Sequence, residues 1–212
     1  MRSETACCIP VKRMKYRWAV SVVSLLMLAG CVSFSGLDPK SHYSDLDRDS
    51  IIVLGVAPRY RVQISSGSKV GHAWKNEGPM VKLNTFPENG YIVARLPARN
   101  GAQGYDVSGI LPDGISGKRL FIPCNGQETM VFRAPEGAVV YVGDIKLSDD
   151  GSRVRYQISS NLEAARRHLM EHYPLIASKL TDGGFEKMAL INSNCQGNSS
   201  VPIIITIPVR TK

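Results

Sequence analysis

Residues 51–56 are Ile-Ile-Val-Leu-Gly-Val, an unbroken apolar run that is rich in β-branched side chains. A run of this length and composition, bounded by polar residues and by Pro58, favours a strand over a helix. Because the run contains no polar residues that alternate with the apolar ones, it predicts a strand that is covered on both of its faces.

Further strands are predicted after this run. Tyr60, Val62 and Ile64 alternate with polar residues, which is typical of a half-buried strand, and the fragment Ser65 to Lys69 is interpreted as a flexible hairpin tip. In the segment 138–147, strict alternation places Val139, Tyr141, Gly143, Ile145 and Leu147 on one face. Further short apolar segments, separated by Pro, Gly and Asn, are predicted strands at 80–83, 90–96, 105–111, 118–122, 128–133, 154–158, 185–191 and 203–207.

One helix is predicted, at about 160–173. Ser160 and Glu163 have the spacing of a capping box, and Pro174 stops the pattern. The residues Leu162, Ala165, Leu169 and Tyr173 share one face. The sequence therefore predicts a mainly β fold over residues 51–212, an antiparallel β-sandwich with this one C-terminal-half helix packed on it.

The run from Gly90 to Ala98, followed by Tyr105-Asp-Val-Ser-Gly-Ile, resembles the strand-turn-strand segment of prealbumin-like or carboxypeptidase-regulatory-like β-sandwich domains. The resemblance covers about twenty residues, and residues 99–104 lengthen the turn relative to that pattern. It implies a fold and no activity.

Residues 14–31 carry an export signal. Lys15 and Arg17 precede a short apolar segment, Ala19 to Leu28, which falls below the roughly 20 residues that a membrane-spanning helix needs. The following Leu28-Ala29-Gly30-Cys31 resembles the lipobox of bacterial lipoproteins. This resemblance implies cleavage between Gly30 and Cys31 and attachment of acyl chains, such as palmitate, to Cys31.

Residues 1–30 are then an n-region and a lipoprotein signal peptide, with Met14 as the expected true start. An ordinary signal peptide or an N-terminal membrane helix with a chance cysteine remains the alternative. Val32 occupies a position where, in lipoproteins of this kind, an aspartate is the usual cue for inner-membrane retention. We therefore expect an outer-membrane lipoprotein facing the periplasm, with residues 31–50 as a flexible tether.

The charge balance argues against nucleic acid as a partner. Without residues 1–30 the chain retains 21 basic and 17 acidic residues, a small surplus. Export also removes the chain from most nucleic acid. We expect contact with the membrane through the lipid anchor, an envelope protein or glycan as partner, and no cofactor.

Cys124 and Cys195 are the two cysteines that remain in the predicted domain. An oxidising compartment favours a disulfide bond between them, which would stabilise the fold by about 4 kcal/mol in the chain-entropy model. Two separate thiols are the alternative.

His168, Glu171 and His172 match the H-x-x-E-H pattern of inverzincin metalloproteases, in which two histidines one helical turn apart bind zinc and the glutamate acts as base. That family takes a glutamate far downstream as its third ligand, and here only Glu186 follows. The simpler interpretation is a solvated helix face without a metal.

Four arginines fall on the polar faces of two predicted strands, namely Arg59, Arg61, Arg153 and Arg155. Together they would form a basic patch for an anionic lipid, a glycan or an acidic protein. A solvated sheet face is the simpler interpretation.

Two functions from different classes remain. The chain resembles small bacterial lipoproteins that carry a Tyr-Val-Gly-Asp strand, here Tyr141 to Asp144, and these imply no particular reaction. The preferred hypothesis is a lipid-anchored, non-enzymatic binding or envelope-assembly module. The alternative is a periplasmic metal-dependent hydrolase that uses His168, Glu171 and His172.

Overall fold

The structure is a computed structural model that describes residues 36–40, 48–98, 101–112, 120–149, 154–191 and 203–206. All of these residues belong to one compact unit, Phe34–Lys212. Strands take up 62% of them and helices 11%, which confirms the prediction of a mainly β fold with a helix in the C-terminal half.

The described elements are eleven strands and two helices. The strands are β1 (Asp49–Ala57), β2 (Arg61–Val70), β3 (Ala73–Thr85), β4 (Tyr91–Pro97), β5 (Ala102–Leu111), β6 (Glu128–Pro135), β7 (Val139–Asp149), β8 (Val154–Ser159), β9 (Leu180–Asp182), β10 (Glu186–Ile191) and β11 (Ile203–Thr206). The helices are α1 (Leu162–His172) and α2 (Pro174–Ala177). Among the described helices, none is long and apolar enough to cross a membrane.

The strands form two sheets. A six-stranded sheet has the order β11-β8-β7-β1-β4, and β9 also pairs with β7. The other five strands close into a barrel in the order β10-β3-β2-β5-β6. Four pairs are parallel, β1 with β7, β7 with β9, β8 with β11 and β3 with β10, so both sheets are mixed and the antiparallel description does not hold for them.

In three of the four parallel pairs the chain leaves one sheet, builds part of the other and returns, whereas β7 and β9 are connected through β8, α1 and α2. β1 and β7 are neighbours in space, yet most of the barrel lies between them in the sequence. Tight hairpins force antiparallel pairing, whereas a long crossover leaves the direction open. Local patterns could predict the strands themselves but not these long-range partners.

β1 is the central strand of the fold. Residues Ile51 to Val56 are all buried, as predicted for a strand covered on both faces. Ile52, Leu54 and Val56 enter the main core, which the six-stranded sheet and the barrel share. Ile51 and Val53 lie on the opposite face, in a second core beneath α1 and α2. The protein therefore has three layers, with helices, sheet and barrel in that order.

α1 docks through the face that the sequence predicted. Ala165 and Leu169 are fully buried, and Tyr173 follows them into the second core. The helix begins one residue later than the capping-box spacing indicated, because Asn161 is its N-cap and its Oδ1 accepts a hydrogen bond from the Ala164 N–H at 3.1 Å. Pro174 then begins α2.

A β-bulge in β7 overturns the predicted face of that strand. Val53 of β1 pairs with Tyr141 but Leu54 pairs with Gly143, so one extra residue is inserted in β7. Gly143 has a φ of +114°, a region that glycine tolerates far better than other residues. Tyr141 and Asp144 therefore share the helix side, whereas Ile145 and Leu147 enter the main core.

Two further local predictions are wrong. Ser65 to Lys69 is strand rather than hairpin tip, since β2 continues to Val70 and the turn lies at Gly71 and His72. The predicted strand at 118–122 is reduced, within its described part, to a single bridge between Phe121 and Ile110. In the prealbumin-like run, β4 lies in the six-stranded sheet and β5 in the barrel, and that resemblance stays a prediction.

Part of the predicted tether is docked on the domain. The Leu37 N–H donates to the Val93 carbonyl of β4 at 2.7 Å, and the Leu37 side chain is buried in the second core beside Tyr173. A flexible spacer over 31–50 is therefore wrong for residues 36–40. The segments 31–35 and 41–47 lie outside the described residues.

We expect Leu169→Ala to lower the free energy of unfolding by about 2–5 kcal/mol, because it removes a fully buried side chain from the second core. Urea denaturation measures the change. Met170→Ala is the matched control on the next residue, which is 55% exposed, and should alter stability by less than about 0.5 kcal/mol. Equal losses in the two variants would contradict the docked face of α1.

Candidate functional site

Several predicted site residues lie outside the described part of the chain. They are Gly30 and Cys31 at the predicted cleavage and lipidation site, Cys195 and Arg153. Lipidation at Cys31 therefore stays a prediction.

Cys124 takes part in a disulfide bond. The other four cysteines lie outside the described residues, so the pairing with Cys195 stays a prediction. The surrounding contacts favour it, since the turn at Asn125 and Gly126 is tied to β10 by a hydrogen bond from the Gly126 N–H to the Leu190 carbonyl at 2.8 Å. Cys195 follows the end of β10 by four residues.

The two histidines of the metal-site hypothesis lie side by side, with ring centroids 4.6 Å apart. His168 also stacks on Tyr91, at 4.5 Å between centroids, and is buried. Burial, together with the nearby His172, lowers the pKa of His168. Packing against the Tyr91 ring is sufficient by itself to explain the position of His168.

The third metal ligand that the H-x-x-E-H pattern requires does not lie with these histidines. Glu186 lies in β10 of the barrel, where it accepts a hydrogen bond from Lys69 Nζ at 3.1 Å. Within the described ranges, no three His, Cys, Asp or Glu side chains gather in a way that could hold a metal ion.

Of the four arginines of the predicted basic patch, the structure describes three, and they do not form one group. The guanidinium groups of Arg59 and Arg61 both lie over the ring of Phe86, at 4.7 and 4.6 Å from its centroid. Arg155 is exposed on β8 of the six-stranded sheet. The structure thus brings two of the four together, in a group that we call the Phe86 cluster, comprising Arg59, Arg61 and Phe86.

The bulge in β7 builds a polar network under α1. Tyr141 Oη accepts a hydrogen bond from the N–H of Asn161 at 2.7 Å, which connects the sheet to the N-cap of the helix. Asp144 lies against Gly55, where an added Cβ would be 2.0 Å from its Oδ1. Burial raises the pKa of Asp144, and its hydrogen bond with Tyr141 opposes this effect. The Tyr-Val-Gly-Asp run therefore acts as a connection between helix and sheet.

A cavity of about 570 Å³ opens at one end of the barrel. Its apolar part includes Trp74, Val131 and Met188, which belong to a cluster separate from the two cores already described. Its polar lining is mixed in charge and includes Lys69, Glu77, Gln103, Arg133 and Glu186. The mixture suits a ligand that presents both an apolar surface and hydrogen-bonding groups.

Two glycines make room for Trp74 in this cavity. An added Cβ at Gly67 would lie 2.6 Å from the indole, and one at Gly104 would lie 2.5 Å from it. The two glycines pair across β2 and β5, so the indole packs over a stretch of these strands that has no side chains on that face. The need for space beside Trp74 explains why β2 carries small residues between Ser65 and Lys69, the stretch that was interpreted from the sequence as a hairpin tip.

Asp106 lies beside Trp74, fully buried. Neither carboxyl oxygen has a hydrogen-bond partner of good geometry within the described chain. Burial raises the pKa of Asp106 to about 7, while the nearby side chains of Trp74 and Asn76 only partly offset that rise. Such a carboxyl changes charge near neutral pH beside Trp74, which lines the cavity.

Sequence reasoning did not single out this cavity. One sequence feature that could have indicated it is Asp106, which lies between Tyr105 and Val107. Both neighbours point into the main core, so the alternation of a strand turns the Asp106 side chain to the opposite face. Trp74, the one tryptophan after the predicted signal segment, is another.

No known protein family, curated protein or solved structure matches this chain.

We expect Asp106→Asn to change the pH dependence of stability. In the unfolded chain this carboxyl ionises near pH 4, whereas the folded state keeps its proton up to a pKa of about 7. The folded state therefore binds more protons between these values, and wild-type stability should fall by roughly 3 kcal/mol, relative to the variant, as pH rises from about 4 to about 7.

Urea denaturation of both proteins across that pH range measures the difference. Glu77→Gln is the control, because it removes an exposed carboxyl that lines the barrel cavity. It should leave the slope of the unfolding free energy against pH as it is in the wild type. Parallel pH curves for the wild type and Asp106→Asn would show that Asp106 is not the titrating group.

Proposed function

We propose that the protein is a lipid-anchored component of the bacterial cell envelope whose folded part is a non-enzymatic binding module. Acyl chains on Cys31 fix it to the outer membrane, and the domain faces the periplasm. Its partner is another envelope protein or a glycan, which it contacts at the barrel cavity.

The observation that carries the anchor is the order of three features in residues 14–31. A basic segment is followed by a short apolar run and then directly by Leu28-Ala29-Gly30-Cys31. Several acyl chains, at about 0.8 kcal/mol for each buried CH₂, anchor a protein durably, whereas one chain is marginal. Lipidation thus explains how an apolar segment too short to span a bilayer can still lead to stable attachment.

The barrel cavity supports the binding role. Trp74 is 3% exposed and packs closely over Gly67 and Gly104, so the apolar wall of the cavity is already ordered before a ligand arrives. At the rim of the cavity Lys69 and Glu186 form an ion pair at 3.1 Å, and these two groups can exchange partners with a polar ligand. Rim residues of both signs fit a protein or a glycan better than a strongly acidic polymer.

Metabolic labelling with a palmitate analogue tests the anchor. We expect the wild type to incorporate the label and to sediment with the outer membrane, because acylation needs the sulfur of Cys31. Cys31→Ser should lose both properties, while Cys8→Ser, a change upstream of the expected start at Met14, should lose neither. Unlabelled wild-type protein, or Cys31→Ser that still attaches to the membrane, would refute the anchor.

Photo-crosslinking in cells tests the binding role. A photoreactive amino acid at Arg133, exposed at the cavity, should form a discrete adduct with an envelope component. The same group at Arg167, exposed on α1, is the matched control and should not form that adduct. Ala102→Trp, which places a large side chain at the cavity, should abolish it. An adduct of equal yield at both positions, or one that survives Ala102→Trp, would contradict a role for the cavity.

A further inference from the structure

The docked segment 36–40 limits how the domain can sit on a membrane. Gly36 is five residues after Cys31, and Leu37 is fixed to β4 by its N–H and by its buried side chain. A fully extended chain spans at most about 3.5 Å per residue, so the acylated cysteine lies within roughly 17 Å of Gly36. The lipid surface must therefore lie near the end of the domain that carries Gly36.

The residues around Gly36 identify that end. A small cleft there is lined by Gly36, Thr85, Phe86, Glu88 and Tyr173, and Asp38 is close enough to Tyr173 to influence its pKa. α2 follows Tyr173 directly and exposes Leu175, which is 52% accessible. We call this part of the molecule the anchor end.

The barrel cavity lies at the other end of β3. Thr85 closes β3 at the anchor end, and Trp74 lies eleven residues earlier, beside the β2–β3 turn. β3 is bulged between these positions: on its partner β2, Thr85 is opposite Val62 and Trp74 is opposite Lys69. Seven residues of β2 cover up to roughly 23 Å at about 3.3 Å per residue, which exceeds the reach of roughly 17 Å between Cys31 and Gly36. The cavity is thus directed away from the surface to which the anchor is attached.

The Phe86 cluster lies at the anchor end and carries two guanidinium groups. Phe86 lines the same cleft as Gly36, and both Arg59 and Arg61 stack on its ring. Stacking restricts these side chains and reduces the entropy lost when they bind an anion. Guanidinium groups match the geometry of phosphate oxygens, and phosphate groups form the surface of a phospholipid bilayer.

We propose that the Phe86 cluster is a contact site for lipid phosphate groups, which seats the anchor end on the membrane and presents the barrel cavity to the periplasm. The inference rests on the proposed lipid anchor and adds the orientation and the residues that set it. Asp38 and Glu88 bring negative charge to the same end. Arg59 and Arg61, helped by the exposed Lys40, must outweigh them.

Lipid photo-crosslinking of the acylated full chain in vesicles of phosphatidylethanolamine and phosphatidylglycerol tests the orientation. The photoreactive amino acid is placed at Leu175 at the anchor end or at Val70 beside the β2–β3 turn, two apolar residues of nearly equal exposure, 52% and 49%. We expect lipid adducts from position 175 and none above background from position 70.

Charge variants in the position-175 background test the arginines. Arg59→Gln combined with Arg61→Gln should reduce the lipid adduct by up to about fivefold for each arginine removed, since each basic residue near an anionic surface contributes on that scale. Lys69→Gln combined with Arg133→Gln removes the same charge at the barrel cavity and should leave the adduct unchanged.

The failures of the two proposals differ. If the chain is acylated and floats with the vesicles but positions 175 and 70 give equal adducts, the orientation is wrong and the anchor stands. If the arginine pair has no more effect than the control pair, the Phe86 cluster is not the contact site. A chain that takes up no acyl group overturns the anchor and, with it, this inference.

Discussion

The fold depends on covering both faces of one strand. β1 is apolar at every position from Ile51 to Val56, and each of these residues is buried. A strand of this kind cannot border water, so the chain must supply a layer on each side of the six-stranded sheet. The barrel supplies one layer, and α1, α2 and the segment at Leu37 supply the other. At about 1.5–3 kcal/mol for each fully buried aliphatic side chain, burial of the five side chains of this run contributes roughly 10 kcal/mol to folding.

The same constraint positions both the docked segment at Leu37 and the barrel cavity. Because Leu37 completes the helix layer, the chain is fixed to the domain six residues after Cys31, the predicted lipid site. Because the barrel must present apolar residues to the main core, the side chains that alternate with them turn to its other face, where Trp74 and Asp106 lie. A buried carboxyl without a good partner is costly, and such groups are commonly kept where a site uses them.

Sequence reasoning recovered the features that are local. It found the burial of β1, the helix face with Ala165 and Leu169, and the turn at Asn125 and Gly126, because periodicity and turn chemistry are encoded in neighbouring residues. It missed the bulge at Gly143, since a single inserted residue leaves composition unchanged while exchanging the two faces of the strand. It also missed the barrel cavity, because the fit of Trp74 over Gly67 and Gly104 exists only once β2, β3 and β5 are paired.

Amide hydrogen exchange, followed by NMR on an unlipidated protein from Cys31→Ser, tests this arrangement most directly. If the helix layer includes the segment at Leu37, the Leu37 amide, bonded to Val93 at 2.7 Å, exchanges much more slowly than an unstructured peptide. Val53 and Leu54 then exchange only on global unfolding. Exchange of Leu37 at the rate of a free peptide would contradict the docked segment. Fast exchange in β1 would contradict the covered central strand itself.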